Sequence, residues 1–188
     1  MRVYVIRHGE SETNRAKRWT GWVDAHLTDK GKEDAKKAGE YLKDISFDKI
    51  FASDLIRAVE TAEIALPNCS YEKSPLLREI DLGTLANEPL SVLTDEQKKN
   101  IRKYGYTDFN GESNTDFSVR VAKAMKTLEE LNCETVAVFS HAGWLRTMLD
   151  TVVGAYLPRN HVRCGNCTIG IFEYENQNWW FHSWINLS

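Results

Sequence analysis

Three short apolar runs, residues 3–6, 49–52 and 135–139, each break off into a polar turn, and each is followed by a segment with helical periodicity. Alternation of this kind leaves few folds open, because a strand followed by a helix returns most easily to a parallel neighbour. Thr28 stands as an N-cap before Ala35, Ala38, Leu42 and Ile45, which share one helical face. Ser53 reads as the cap of a helix with the stripe Leu55, Ala58, Ala62 and Ala65. Ser113 caps a longer one carrying Phe117, Val121, Ala124, Leu128 and Leu131, and residues 143–153 form an apolar helix. Residues 70–74 predict a further strand, residues 91–103 a helix, and residues 14–27 an ordered surface loop or short helix. Residues 168–174 and 179–185 are strands joined by Glu175-Asn176-Gln177-Asn178, a hairpin pattern. The expected class is α/β: a three-layer α/β/α sandwich with a mostly parallel central sheet and an antiparallel edge strand.

The chain has 188 residues with 42% hydrophobic content, enough for one ordinary domain over residues 1–188, and shows no repeat or linker. A net charge of −3 argues against a nucleic-acid partner and leaves an anionic substrate open, since a few arginines in one cleft dominate at short range. No segment has the length of a membrane span, and the opening residues do not form a signal peptide. Four cysteines are too few for a disulfide scaffold, so a reducing cytoplasm is the expected location. Cys164 and Cys167 form a Cys-x-x-Cys that leads into an apolar strand and has no second ligand pair, which speaks against zinc or redox use.

In open α/β sheets, ligands settle beyond the carboxyl ends of the strands. The first run ends in Arg7-His8-Gly9, the second at Ser53 with Arg57 shortly after, and the third in Ser140-His141-Ala142-Gly143. If these strands are neighbours, two His and two Arg converge on one rim beside helix N-termini suited to an anion. Arginine forks match phosphate oxygens. Positive charge beside an imidazole lowers its pKa and keeps it neutral. A neutral His can attack phosphorus and hold the group covalently. An alcohol leaving group then needs a proton, help that is typically worth about 10²–10⁴-fold. Glu79 is the candidate acid, although spacing alone leaves it one of many carboxylates.

The run from Val5 to Asn14, Val-Ile-Arg-His-Gly-Glu-Ser-Glu-Thr-Asn, resembles the signature of the histidine phosphatase superfamily, also called the phosphoglycerate mutase-like family. The resemblance continues through Arg18-Trp19-Thr20-Gly21-Trp22-Val23-Asp24, Leu27-Thr28-x-x-Gly31, Ser53-Asp54-Leu55-x-Arg57-Ala58-x-x-Thr61-Ala62, the Glu79 segment, Gly111-Glu112-Ser113 and Ser140-His141-Ala142-Gly143. It covers nearly the whole chain in order. It implies a phosphoglycerate mutase-like fold with His8 as the phosphorylated nucleophile. Arg7, Arg57 and His141 would grip the phosphoryl group, with Ala142 beside them. Glu79 would be the proton donor and later the base. Asn14 would touch the phosphoryl group, and Thr20 and Gly21 would line the substrate side. It also implies that no metal is used; no cofactor is expected, the expected partner is a small phosphorylated substrate, and the chain is expected as a monomer or homodimer, with Trp in the hairpin permitting a dimer.

Two departures bear on the reaction. Many phosphatases of the family carry Trp-Glu-Gly after the glycine at Gly83, where this chain reads Thr84-Leu85-Ala86-Asn87-Glu88. Leu82 stands where the mutases usually have Tyr, and their paired-Arg segment is missing. Those arginines retain a bisphosphate intermediate in a mutase, so their absence favours release to water. The first expectation is therefore a phosphomonoesterase. A cofactor-dependent phosphoglycerate mutase and a non-catalytic phospho-ligand-binding module are the alternatives. Outside the motifs, Lys98, Lys99, Arg102 and Lys103 read as a solvated helix face rather than a lid. Glu112 reads as serving a helix start, His26, His161 and His182 as structural, and Trp179, Trp180 and Trp184 as sheet packing.

Overall fold

The first strand shows how the core is divided. Along β1 (Arg2–Arg7), Val3 and Val5 point to one face of the sheet while Tyr4 and Ile6 point to the other, and all four are buried. Strand β4 (Thr135–Ser140) repeats this, with Val136 and Val138 on the first face and Ala137 and Phe139 on the second. Strands covered on both sides need no polar face, which is why both read as continuous apolar runs. The computed structural model describes residues 1–158 and 161–187.

The elements in chain order are β1, α1 (Glu12–Arg15), α2 (Asp29–Leu42), β2 (Lys49–Ala52), α3 (Ile56–Ala65), β3 (Glu72–Lys73), α4 (Asp95–Tyr104), α5 (Asn114–Glu129), β4, α6 (Ala142–Val153), β5 (Ile169–Glu175) and β6 (Asn178–Ile185). They build one six-stranded sheet in the order β3-β2-β4-β1-β5-β6. The pairs β3–β2, β2–β4 and β4–β1 are parallel, whereas β5 runs against β1 and pairs antiparallel with the edge strand β6. Helices α5 and α6 cover one face through Phe117, Val121, Trp144, Leu145 and Met148. Helices α2 and α3 cover the other through Ala35, Ala38, Leu42, Ala62 and Ala65. This is the three-layer sandwich read from the alternation. Each fully buried Val, Leu or Phe in it contributes roughly 1.5–3 kcal/mol relative to an exposed one.

Local signals are met in most places. Thr28 accepts from the Gly31 N–H and caps α2, and Ser113 accepts from the Asp116 N–H and caps α5. The hairpin turns at Asn176 and Gln177, both at positive φ (52° and 62°), the pattern of a type I′ turn. Three expectations need correction. The helix read as residues 91–103 begins at Asp95, because Thr94 and Gln97 form a reciprocal capping box there. The strand at 70–74 shrinks to Glu72–Lys73. Ser53 does not cap α3: the cap position is Leu55, without a side-chain bond, and the free Ile56 N–H is taken at 3.0 Å by Asp24 from a distant loop. No helix among the described residues is long and apolar enough to cross a membrane.

Candidate active site

Because β2, β4 and β1 are parallel neighbours, their carboxyl ends share one rim, and the Arg7–His8, Ser53–Arg57 and Ser140–Gly143 segments meet there. His8 is 4% exposed at the floor of a cavity of about 950 Å³. Its Nδ1 lies 2.7 Å from the Gly9 carbonyl. A carbonyl only accepts, so Nδ1 carries the hydrogen. The other nitrogen, Nε2, carries the ring's lone pair and accepts with it from Arg57 Nε at 3.2 Å. The backbone is pinned as well: His8 N–H donates to Ser140 O at 3.0 Å, and Gly9 N–H donates to Thr61 Oγ1 at 3.0 Å. A Cβ on Gly9 would collide with the Gly31 carbonyl, so the turn lies directly on the first turn of α2.

Arg57 is fully buried. Besides His8, its fork donates to the carbonyls of Val23 (2.9 Å) and Gly21 (2.8 Å), which ties the loop after α1 to His8. Burial brings its pKa down to about 10, with Glu79 and Asp24 acting in the opposite sense. Arg7 lines the cavity, and one guanidinium nitrogen donates to Cys164 O at 2.5 Å. Its Nε has no hydrogen-bond partner among the described residues. His8 is held well below the ordinary imidazole pKa, first by burial and then by the charges of Arg57 and Arg7. The result is a neutral ring whose Nε2 lone pair is held by the Arg57 hydrogen bond.

His141 sits behind His8, with ring centroids 5.2 Å apart. It is fully buried and does not line the cavity. Nε2 and Ser53 Oγ are hydrogen-bonded at 2.8 Å, which is where the Ser53 hydroxyl is spent instead of on a cap. Nδ1 has no partner among the described residues. Burial, then Arg57, His8, Arg7 and Arg120, hold this ring neutral as well.

Glu79 lies on the opposite wall. Its carboxylate accepts from the N–H groups of Ile80 and Gly143, each at 3.0 Å, the second at the N-terminus of α6. A Cβ at Gly143 would strike Glu79 Oε1, so any side chain there would push the carboxylate from its place. The Glu79 carbonyl accepts from Trp22 Nε1 (2.7 Å) and from Arg120 (2.9 Å). Arg120 also donates to the carbonyls of Leu76 and Arg78 and pairs with Glu112 at 2.7 Å. Glu112 therefore anchors this segment instead of opening α5.

Asn14, Thr20, Gly21 and Ala142 all line the cavity, as do Trp19, Leu82 and Tyr106. Of the basic cluster on α4, Arg102 reaches the cavity wall, while Lys98 pairs with Asp95 and Lys103 lies over Tyr104. Arg120 and Asn166 escaped the sequence reading. Arg120 looks like any polar residue of an amphipathic helix, and the tertiary pairing with Glu112 has no local signature. Asn166 lies inside the Cys-x-x-Cys, where the chemical signal belongs to the cysteines. Cys164 and Cys167 are both buried free thiols. Among the described residues no three His, Cys, Asp or Glu side chains cluster as metal ligands would.

A chain from Enterobacter sp. (strain 638) named "Probable phosphoglycerate mutase GpmB" is 32% identical over 195 residues, covering 98% of this chain and 90% of that one. A phosphoglycerate mutase structure from Thermus thermophilus superposes with a TM-score of 0.77 at 28% identity over 100% of both chains. A proposed alpha-ribazole-5'-P phosphatase from Escherichia coli K-12 superposes with a TM-score of 0.82 at 26% identity, over 97% of this chain and 94% of that one. The model of branch 1 of the histidine phosphatase superfamily matches residues 3–187, and with the two histidines, two arginines and the glutamate gathered on one sheet rim, this chain belongs to that superfamily.

Proposed function

We propose that the protein hydrolyses phosphomonoesters of small metabolites through a phosphohistidine on His8. The observation that carries this reading is the fixed tautomer of His8: Nδ1–H is tied to Gly9 O, and Nε2 is left as the nucleophile beside Arg57 at the cavity floor. Arg7, Arg57 and Asn14 would hold the phosphoryl group, while His141, expected to share that grip, does not line the cavity and lies behind His8. Nε2 gives up its hydrogen bond from Arg57 Nε and attacks phosphorus, the P–O bond to the leaving alcohol breaks, and Glu79 in its acid form gives that oxygen a proton. Water then attacks the phosphohistidine and passes a proton back to Glu79, and phosphate departs as Nε2 recovers its lone pair. Thr20, Gly21 and Ala142 line the substrate side.

Mutase activity is the second reading, favoured by the names of relatives such as the Enterobacter protein. Against it, Leu82 occupies the cavity wall where mutases carry Tyr, and no paired arginines follow in the sequence. Release of the phosphoryl group to water fits this wall better than its retention.

The test is acid-quenched incubation with ³²P-labelled phosphomonoesters. Alkali-stable, acid-labile label should appear on the wild type and vanish in His8→Ala. Glu79→Gln should slow alkyl phosphates by about 10²-fold or more and aryl phosphates, whose leaving groups need little protonation, far less. Wild-type protein that takes up no label would defeat the reading, and isomer exchange that outruns phosphate release would replace it with the mutase.

A further inference from the structure

The Cys-x-x-Cys segment packs against the backbone of the nucleophile. Cys167 N–H donates to the His8 carbonyl at 3.3 Å, and Arg7 donates to the Cys164 carbonyl. Between them, Asn166 Nδ2 donates to the same His8 carbonyl at 3.1 Å and to Asn14 Oδ1 at 3.3 Å. Cys167 holds φ = 54°, a left-handed conformation that a non-glycine residue keeps only when its surroundings enforce it.

These contacts fix the orientation of two amides. The His8 carbonyl only accepts, so the Asn166 atom facing it is Nδ2. The second hydrogen on that nitrogen then needs an acceptor, so the atom of Asn14 facing it is Oδ1. The Ser11 N–H, 3.3 Å from the same oxygen, agrees. The amide nitrogen of Asn14, a cavity-lining residue, is thereby left for the cavity with both N–H donors uncommitted to Asn166 or Ser11.

We infer that Asn166 is a positioning residue: it locks the Asn14 amide with its NH₂ toward the phosphoryl site, so that Asn14 donates to a phosphoryl oxygen. This rests on the phosphohydrolase reading of the site for its kinetic consequence, but the orientation also governs binding of a plain phosphate ion. Without Asn166 the Asn14 amide is held by the Ser11 N–H alone and is free to turn its oxygen toward an anion, which repels it.

The experiment is a double-mutant cycle with Asn14→Ala, Asn166→Ala and the double variant. It is read as kcat/KM for an aryl phosphate and as Kd for inorganic phosphate by calorimetry, with thermal unfolding to check the fold. Asn166→Ala should lower kcat/KM and phosphate affinity roughly tenfold each, the range of one hydrogen bond to a charged group. In the Asn14→Ala background the same change should cost less than about twofold, and the acid limb of the pH–rate profile should stay in place. An equal loss in both backgrounds, or a shifted acid limb, would show that Asn166 acts through His8 instead and would overturn the inference. If the wild type turns nothing over, the phosphohydrolase reading fails, and the phosphate-binding cycle still decides the role of Asn166.

Discussion

His8 depends on an arginine that commits three of its five N–H donors inside the protein. Arg57 gives Nε to His8 and its fork to the Gly21 and Val23 carbonyls, so one side chain both orients the imidazole and closes a loop that lines the cavity. Lysine cannot reproduce three diverging donors from a single nitrogen. It also starts from a pKa near about 10.4. The burial that brings Arg57 down to about 10 would carry a lysine toward neutrality. Arg57→Lys should therefore lose about 10²-fold in kcat/KM, roughly 2.7 kcal/mol of transition-state binding. The deficit should widen between pH 6 and pH 9 as the amine gives up its proton. Steady-state kinetics over that range check it. A ratio to wild type that stays flat with pH would show that the position needs volume and not charge.

At the scale of elements, α5 acts as a strap over the segment that carries the candidate acid. Arg120 reaches from the helix to the chain leading into Glu79, at the carbonyls of Leu76, Arg78 and Glu79, and closes the arrangement with Glu112. Removing it strands a largely buried carboxylate and the Arg78 carbonyl, while the Glu79 and Leu76 carbonyls keep Trp22 and Trp144. Arg120→Met is expected to cost about 3–5 kcal/mol of unfolding free energy, measurable by urea titration. It should also slow alkyl phosphates more than aryl phosphates, because Glu79 loses its fixed position. Equal slowing of both would separate Arg120 from proton transfer. These are also the parts that sequence reads poorly. The strands of the central sheet were legible, because burial on both faces writes a continuous apolar run, and so were α2 and α5 from their caps and stripes. Ser53 was misread because its hydroxyl serves His141 while α3 takes its cap from Asp24, a partner fixed only by folding. The motif residues were legible through the family resemblance, which named Glu79 where spacing could not. Asn166 and Arg120 were not, since each acts by hydrogen-bonding backbone or amide groups that a sequence does not display.

For the whole molecule, the sheet order buries two imidazoles, His141 fully and His8 nearly so, and this links stability to pH. His8 and His141 lie against each other at the ends of β1 and β4, and burial is the first cause holding each below the ordinary value of 6.5. The unfolded chain takes up protons on both rings as pH falls through 6.5, while the folded chain refuses them until the pH is much lower. Their contribution to stability is therefore complete above about pH 6.5 and is lost on acidification, with a limiting slope of about 1.4 kcal/mol per pH unit for each ring. His26 has the opposite sign. Its pair with Glu60 raises its pKa, so that contribution is present at low pH and fades on the alkaline side, but it is an exposed contact of little weight. Asp54, held low by Arg78, titrates below this window. Between pH 6.5 and pH 5 the two buried rings thus dominate, and unfolding free energy from urea titrations should fall by at most about 3 kcal/mol across that interval. His141→Gln keeps a polar side chain of similar size beside Ser53 and removes one titrating group, so the slope should be close to half that of the wild type. A free energy that holds level from pH 7 to pH 5 would mean that the rings accept protons in place, and the neutral nucleophile on which phosphoryl capture depends would be lost with it.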